Sequence, residues 1–150
     1  MTLRAWRQGD APAVLRAFQS PDLAEQAPLP VLTLMDAQGW IAAWEGVGRA
    51  FAVVVDGSVV GNVAVTGHEV SYWTIPAVRG RGVAVAAVRV LARWAFGMSG
   101  YDRLVVRHRT DNLASCRVAL GAGFALAGVD GDIEHHLRLA TTPTTDLRHP

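Results

Sequence analysis

A chain of 150 residues with 51% hydrophobic side chains suits one domain with a buried core and is too apolar for a disordered segment. The net charge is +1, and the arginines are scattered rather than gathered into a basic stripe with interleaved aromatics, so no direct nucleic-acid contact is expected. The one cysteine, Cys116, excludes an internal disulfide and a zinc cluster built on cysteines; it reads as a half-buried helix residue.

Charge is unevenly divided. Residues 1–75 hold 4 arginines against 7 acids, and residues 76–150 hold 10 arginines against 6 acids. The second half therefore suits an anion, and the first half a cation. No stretch reaches the length of about 20 apolar residues that spans a bilayer, and the opening MTLRAWRQGD lacks the apolar centre of a signal peptide. The chain is expected to be soluble and cytoplasmic, with no membrane contact.

Leu3–Trp6 reads as a strand ended by Gly9-Asp10. Asp10 is placed to cap a helix over Ala11–Phe18, with Pro12 tolerated in its first turn. Ser20–Pro30 holds three prolines and reads as a loop, after which Thr33 can cap a helix reaching about Trp44. Phe51–Val55 and Val59–Val65 are β-branched runs joined by Asp56-Gly57-Ser58, a strong hairpin signal. Glu69–Ile75 reads as a neighbouring strand stopped by Pro76. A helix follows to about Phe96, then a strand over Arg103–His108, a helix over Asn112–Leu120 and a last strand region, with Ile133–Leu139 its strongest segment. The order predicts a single mixed α/β (α+β) domain over residues 1–140, with an antiparallel meander in its middle. The polar tail 141–150 is expected to be flexible.

The stretch VRGRGVAVAAV, Val78 to Val88, sets two glycines and two arginines at the mouth of an apolar helix. A helix N-terminus offers free backbone N–H groups and the positive end of its dipole, which together favour phosphate. Glycines allow the turn in which successive amides converge on one anion, and Arg79 and Arg81 add flanking charge. The glycine spacing is neither the dinucleotide fingerprint nor a P-loop.

Arg79–Ala84, RGRGVA, resembles the Arg/Gln-x-x-Gly-x-Gly/Ala motif of the GNAT N-acetyltransferase superfamily. The preceding HEVSYWTIP resembles that family's fourth strand. LVVRHRTDNLASCRVALGAGF resembles its fifth strand and fourth helix, and LRAWRQGDAPAV its opening. The resemblance runs from about Leu3 to Phe124. The E-V-x-Y-W and N-x-x-S pieces are similar to the branch of ribosomal-protein N-terminal acetyltransferases. It implies a mostly antiparallel central sheet flanked by about four helices, with acetyl-coenzyme A as cosubstrate, a primary amine as acceptor and, by resemblance only, a homodimer. Tyr72, Trp73 and Thr74 would present backbone groups to the pantetheine arm along a splayed strand. Gly80, Arg81, Gly82, Val83, Ala84 and Val85 would line the pyrophosphate, with Arg79 beside them. Asn112 would bond the pantetheine region and Arg117 the 3′-phosphate.

Acetyl transfer to an amine needs a proton acceptor for the nucleophile and a donor for the thiolate leaving group. Glu69 is the candidate base, with His68 the lesser alternative, and Ser115 is the group expected at the coenzyme sulfur. Two departures stand out. The tyrosine that many family members carry seven residues beyond the asparagine is Ala119 here, and the fifth-strand glutamate of some members is Arg107. These keep open a second reading, a coenzyme-binding module with weak turnover. Residues 125–132 are rich in turn formers and imply a shortened hairpin before Ile133. His135 and His136 are adjacent on a strand and point to opposite faces, so they cannot easily share an ion, and no metal is expected. Trp6, Trp40, Trp44, Trp73 and Trp94 are expected to pack the core, with Gly39–Trp44 also able to wall an acceptor site.

Overall fold

The computed structural model describes residues 1–141; apart from Thr141, the expected tail lies outside them. Seven strands form one sheet in the order β1-β2-β3-β4-β5-β7-β6. They are β1 Thr2–Ala5, β2 Arg49–Val55, β3 Ser58–Thr66, β4 Glu69–Thr74, β5 Arg103–Arg109, β6 Ala125–Asp130 and β7 Ile133–Leu139. Every neighbouring pair is antiparallel except β4 and β5. The helices are α1 Ala11–Ala17, α2 Pro21–Ala24, α3 Leu34–Ala42, α4 Val83–Met98 and α5 Leu113–Gly121.

The meander follows from its turns. Asp56 (φ 50°) and Gly57 (φ 77°) both adopt left-handed backbone between Val55 and Ser58, the conformation that matches the twist of two paired strands. A β-strand alternates faces, and the sheet accordingly has two cores. On one face Val53, Val63, Val65, Val70, Leu104 and Val106 pack against Val88, Leu91 and Ala95 of α4. On the other, Trp73 joins Val14, Leu23, Ala37 and Ile41 from α1, α2 and α3, together with Phe18 just after α1.

Two expectations need correction. The proline-rich loop contains the single turn α2, because Pro21 fits a first helical turn, so there are five helices among the described residues. Asp10 makes no side-chain cap to α1. Its carboxylate instead accepts from the Arg7 amide at 2.9 Å and pairs with both terminal nitrogens of the Arg4 guanidinium at 2.8 and 2.9 Å. Residues 125–130 form β6, which pairs with β7 in a hairpin. Gly131 (φ 62°) supplies the tight turn between Asp130 and Ile133, and the turn formers within the strand are absorbed by a register shift between Leu126 and Gly128.

α3 forms as expected from its capping box. Thr33 Oγ1 accepts from the Asp36 amide at 3.1 Å, while the Asp36 carboxylate accepts from the Thr33 amide at 3.0 Å.

Candidate active site

β4 and β5 run parallel but pair only at Glu69–Val105 and Val70–Val106. β4 stays on the β3 ladder as far as Thr74, so beyond Val70 its other edge has no strand partner among the described residues. Gly61 permits the close approach of β3 here: an added Cβ would lie 2.5 Å from the Trp73 carbonyl oxygen. The divergence opens a cleft of about 730 Å³ between β4, β5, α4 and α5.

The glycine-rich stretch closes one end of this cleft. Gly80 and Gly82 take φ of 78° and 74°, a region costly for residues with a Cβ. The first helical hydrogen bond of α4 runs from the Ala86 amide to the Gly82 carbonyl at 3.0 Å. The amides of Val83, Ala84 and Val85 thus stand at the open, positive end of a 16-residue helix. α5 packs close alongside, since a Cβ added at Gly121 would lie 3.2 Å from the Val85 side chain.

Of the residues singled out from sequence, Glu69, Tyr72, Trp73, Thr74, Arg79, Gly80, Gly82, Val83, Ala84, Val85, Asn112, Ser115 and Arg117 all line this cleft. Arg81 is exposed and does not line it. His68 lies outside it as well, on the turn before β4, 3.7 Å from Asp102 and edge-on to Tyr101. Arg79 is drawn sideways: its guanidinium bonds the Thr74 carbonyl at 3.0 Å and pairs with Asp22 of α2 at 2.7 Å. The Ser20 hydroxyl, then Arg79, hold the Asp22 carboxyl below its usual range.

The side chains meet in two polar pairs that strand and helix assignments do not reveal. Tyr72 Oη and Ser115 Oγ lie 2.9 Å apart, so the serine is not bonded back to its own helix. Burial pushes the Tyr72 phenol above its ordinary value, and the Ser115 hydrogen bond only partly offsets this. Arg107 Nη1 meets Glu69 Oε1 at 2.5 Å, while Arg107 Nε reaches His135 Nδ1 at 3.2 Å. The register explains the first contact: Glu69 sits opposite Val105, and Arg107 projects from the same face two residues on. Asn112 caps α5 by accepting from the Ser115 amide at 3.0 Å through Oδ1, which leaves its amide nitrogen directed by no protein acceptor among the described residues. Ala119, in the place of the family tyrosine, is fully buried.

A second chamber of about 260 Å³ adjoins the cleft at Ser71–Trp73 and is walled by Phe18, Trp40, Ala43, Trp44 and Asn62. The tryptophans therefore divide. Trp6, Trp40 and Trp73 form one aromatic cluster, with centroids 5.2 to 6.3 Å apart, and Trp94 packs on Phe51 on the opposite face. Trp40, Trp44 and Trp73 also present surface to the chamber. Trp40 and Trp44 fall in the stretch Gly39–Trp44 singled out from sequence as a possible wall, and the fold adds Phe18 and Trp73 to them.

Residues 1–125 match the family described as Acetyltransferase (GNAT) domain. No curated protein gives a significant match. Among solved structures, the ribosomal-protein-S5-alanine acetyltransferase from Vibrio fischeri is similar with a TM-score of 0.77 at 18% identity, covering 92% of each chain. A ribosomal L7/L12 α-N-protein acetyltransferase in complex with coenzyme A gives 0.79 at 18% identity, over 91% of this chain and 92% of that one. Spermidine N-acetyltransferase from Vibrio cholerae, in complex with coenzyme A and spermine, gives 0.76 at 15% identity, over 93% and 95%. At these identities the likeness is one of fold. The family match over residues 1–125, on a chain that shares this fold, shows that the chain belongs to the GNAT acetyltransferase family.

Proposed function

We propose that the chain transfers an acetyl group from acetyl-coenzyme A to a primary amine, either a peptide or protein N-terminus or a small amine, by direct attack in a ternary complex. The observation that carries this reading is the divergence of β4 from β5 into the left-handed glycine turn and open first turn of α4. The free edge of β4 suits an amide-rich pantetheine arm laid along it as an extra strand. The amides from Gly80 to Val85 suit the pyrophosphate. The Asn112 amide nitrogen is positioned to donate to the arm, and exposed Arg117 to reach the 3′-phosphate.

The amine attacks the acetyl carbon, the tetrahedral adduct collapses, and the C–S bond breaks to release a thiolate. Glu69 accepts the amine proton, directly or through water, using the carboxylate oxygen that Arg107 leaves free. Sequence points to Ser115 at the sulfur. The 2.9 Å Tyr72–Ser115 contact supports a pair acting there, with the phenol as donor and Ser115 orienting it. A phenol is protonated at neutral pH in any case, burial raises its pKa further, and Tyr72 thus fills the role left vacant by Ala119. The acceptor enters through the aromatic chamber. Its tryptophan faces suit an apolar or cationic body beside the reactive amine.

The runner-up, a coenzyme-binding module with weak turnover, draws on the buried Ala119 and the engaged Glu69 carboxylate. Calorimetric titration with acetyl-coenzyme A, with dephospho-coenzyme A as control, tests the cleft. Binding at one site per chain is expected, weaker without the 3′-phosphate. An amine panel read by thiol release then separates the two readings. Turnover lost in Glu69→Gln with binding retained supports the enzyme; no turnover with any amine, despite tight binding, favours the module.

A further inference from the structure

Beside the coenzyme cleft, which His108 also lines, four side chains of metal-binding type converge on the face of the sheet covered by α5. They are His108 at the end of β5, Cys116 on α5, and Glu134 and His136 on β7; their ligand atoms all lie within 4.8 Å of one another. The register brings them together. Glu134 pairs directly with His108 across the antiparallel ladder. His136, two residues along β7, projects to the same face, and α5 folds back over both. The adjacent pair His135 and His136 does point to opposite faces, but the relevant spacing is Glu134-x-His136.

The geometry is unusual for a purely protein network. His108 and His136 are buried, with side chains 3% and 1% exposed, and their Nε2 atoms face each other at 2.9 Å. Glu134 Oε1 stands 3.6 and 3.5 Å from these two nitrogens, beyond good hydrogen-bond range. The three separations straddle the ~3.3 Å expected between nitrogen or oxygen ligands of a tetrahedral zinc ion with bonds of about 2.0–2.1 Å. His108 Nδ1 lies 2.6 Å from the Arg109 carbonyl. A carbonyl only accepts, so this nitrogen carries the proton, and in the neutral ring Nε2 presents a lone pair. A ring N–H given to a backbone carbonyl is the usual support of a metal-ligating histidine. His136 Nδ1 is buried without a partner, so no protein group fixes either tautomer of this ring, and its Nε2 is as free to present a lone pair as to carry the proton.

We infer that His108, Cys116, Glu134 and His136 form a binding site for a divalent cation of the zinc class. Two imidazoles, one thiolate and one carboxylate suit a tetrahedral borderline-soft ion and suit calcium or magnesium poorly. Cys116 closes the site by a small inward movement of its thiolate. The ion ties α5 to β5 and β7, and so fixes the helix that carries Asn112 and Ser115. The site is structural and independent of the identity of the acceptor amine.

The test uses the full chain, freed of metal by chelator and titrated with Co²⁺ and then Zn²⁺. One equivalent of Co²⁺ per chain is expected, with intense visible bands of a tetrahedral ion and a near-ultraviolet thiolate charge-transfer band, both lost on adding Zn²⁺. Cys116→Ser, at a half-buried position that tolerates the change, loses the charge-transfer band and binds at least tenfold more weakly. Glu134→Gln weakens binding while keeping that band. A hundredfold excess of Zn²⁺ over its Kd raises the melting temperature of the wild type by about 5–10 °C. Absence of a tetrahedral Co²⁺ spectrum, or a spectrum unchanged in Cys116→Ser, overturns the site and leaves Glu134 beside a hydrogen-bonded histidine pair.

Discussion

In the proposed reaction Tyr72 is the residue asked to donate the proton to the leaving thiolate. Its phenol is held by Ser115, and burial raises a pKa that already leaves it protonated at neutral pH, which suits a donor to a leaving thiolate. Tyr72→Phe is expected to lower kcat by about 10²-fold, a typical general-acid contribution, with little change in coenzyme affinity. Stopped-flow or steady-state thiol release checks it, and an unchanged kcat would remove the phenol from the reaction. Asp10 matters for stability instead. The Arg4 guanidinium, followed by the Arg7 amide, holds its carboxyl below the usual range. A depressed folded pKa stabilises the fold at pH values above the unfolded value of about 3.9, and that contribution is lost as pH falls through the folded pKa. Asp10→Asn is expected to cost about 1–3 kcal/mol at neutral pH, a difference that shrinks in acid. Urea unfolding of both proteins at pH 7 and pH 3 measures it.

Among the elements, the turn into α4 decides whether the helix end is usable. Gly82 is left-handed at φ 74°, and the space a Cβ would occupy is open, so the penalty for alanine is backbone strain rather than a clash. Gly82→Ala is expected to destabilise the fold by about 1 kcal/mol and to weaken acetyl-coenzyme A binding about tenfold, because relaxing the turn re-aims the amides. Calorimetry reads the affinity and thermal melting the stability; full affinity would mean that the pyrophosphate sits elsewhere. This turn is legible in the sequence because only glycine is comfortable there. The extent of β6 within the last hairpin is not. Its Ala, Gly and Asp residues have poor strand propensity, and pairing with β7 overrides that preference, with a register shift taking up the misfit.

In the molecule as a whole, the sheet separates two cores with different duties. One face carries α4, α5 and the cleft proposed for the coenzyme, and the other carries the aromatic cluster that borders the chamber proposed for the acceptor. Ala119 belongs to the first core and is fully buried. Ala119→Tyr, which restores the family residue, is therefore expected to overpack the interface of α5 with the sheet, costing about 1–3 kcal/mol or more without raising kcat. A melting curve together with thiol-release kinetics tests this. A stable, faster variant would show that α5 can turn its face to the cleft.

Elements with local signals are written in the chain itself: the Asp56-Gly57 hairpin, the Thr33 cap, the glycine turn and the apolar stripe of α4. The family motif is also local, and the residues it singles out gather around one cleft, Arg81 excepted. The pairings between side chains belong to the tertiary structure. Glu69 meets Arg107, Tyr72 meets Ser115, and His108 meets Glu134 and His136 only because of strand register and the folding of α5 over the sheet. These contacts join residues 26 to 43 positions apart. Local propensities fix the backbone of each segment, but contacts of that range depend on how segments pair, which no short window of sequence records.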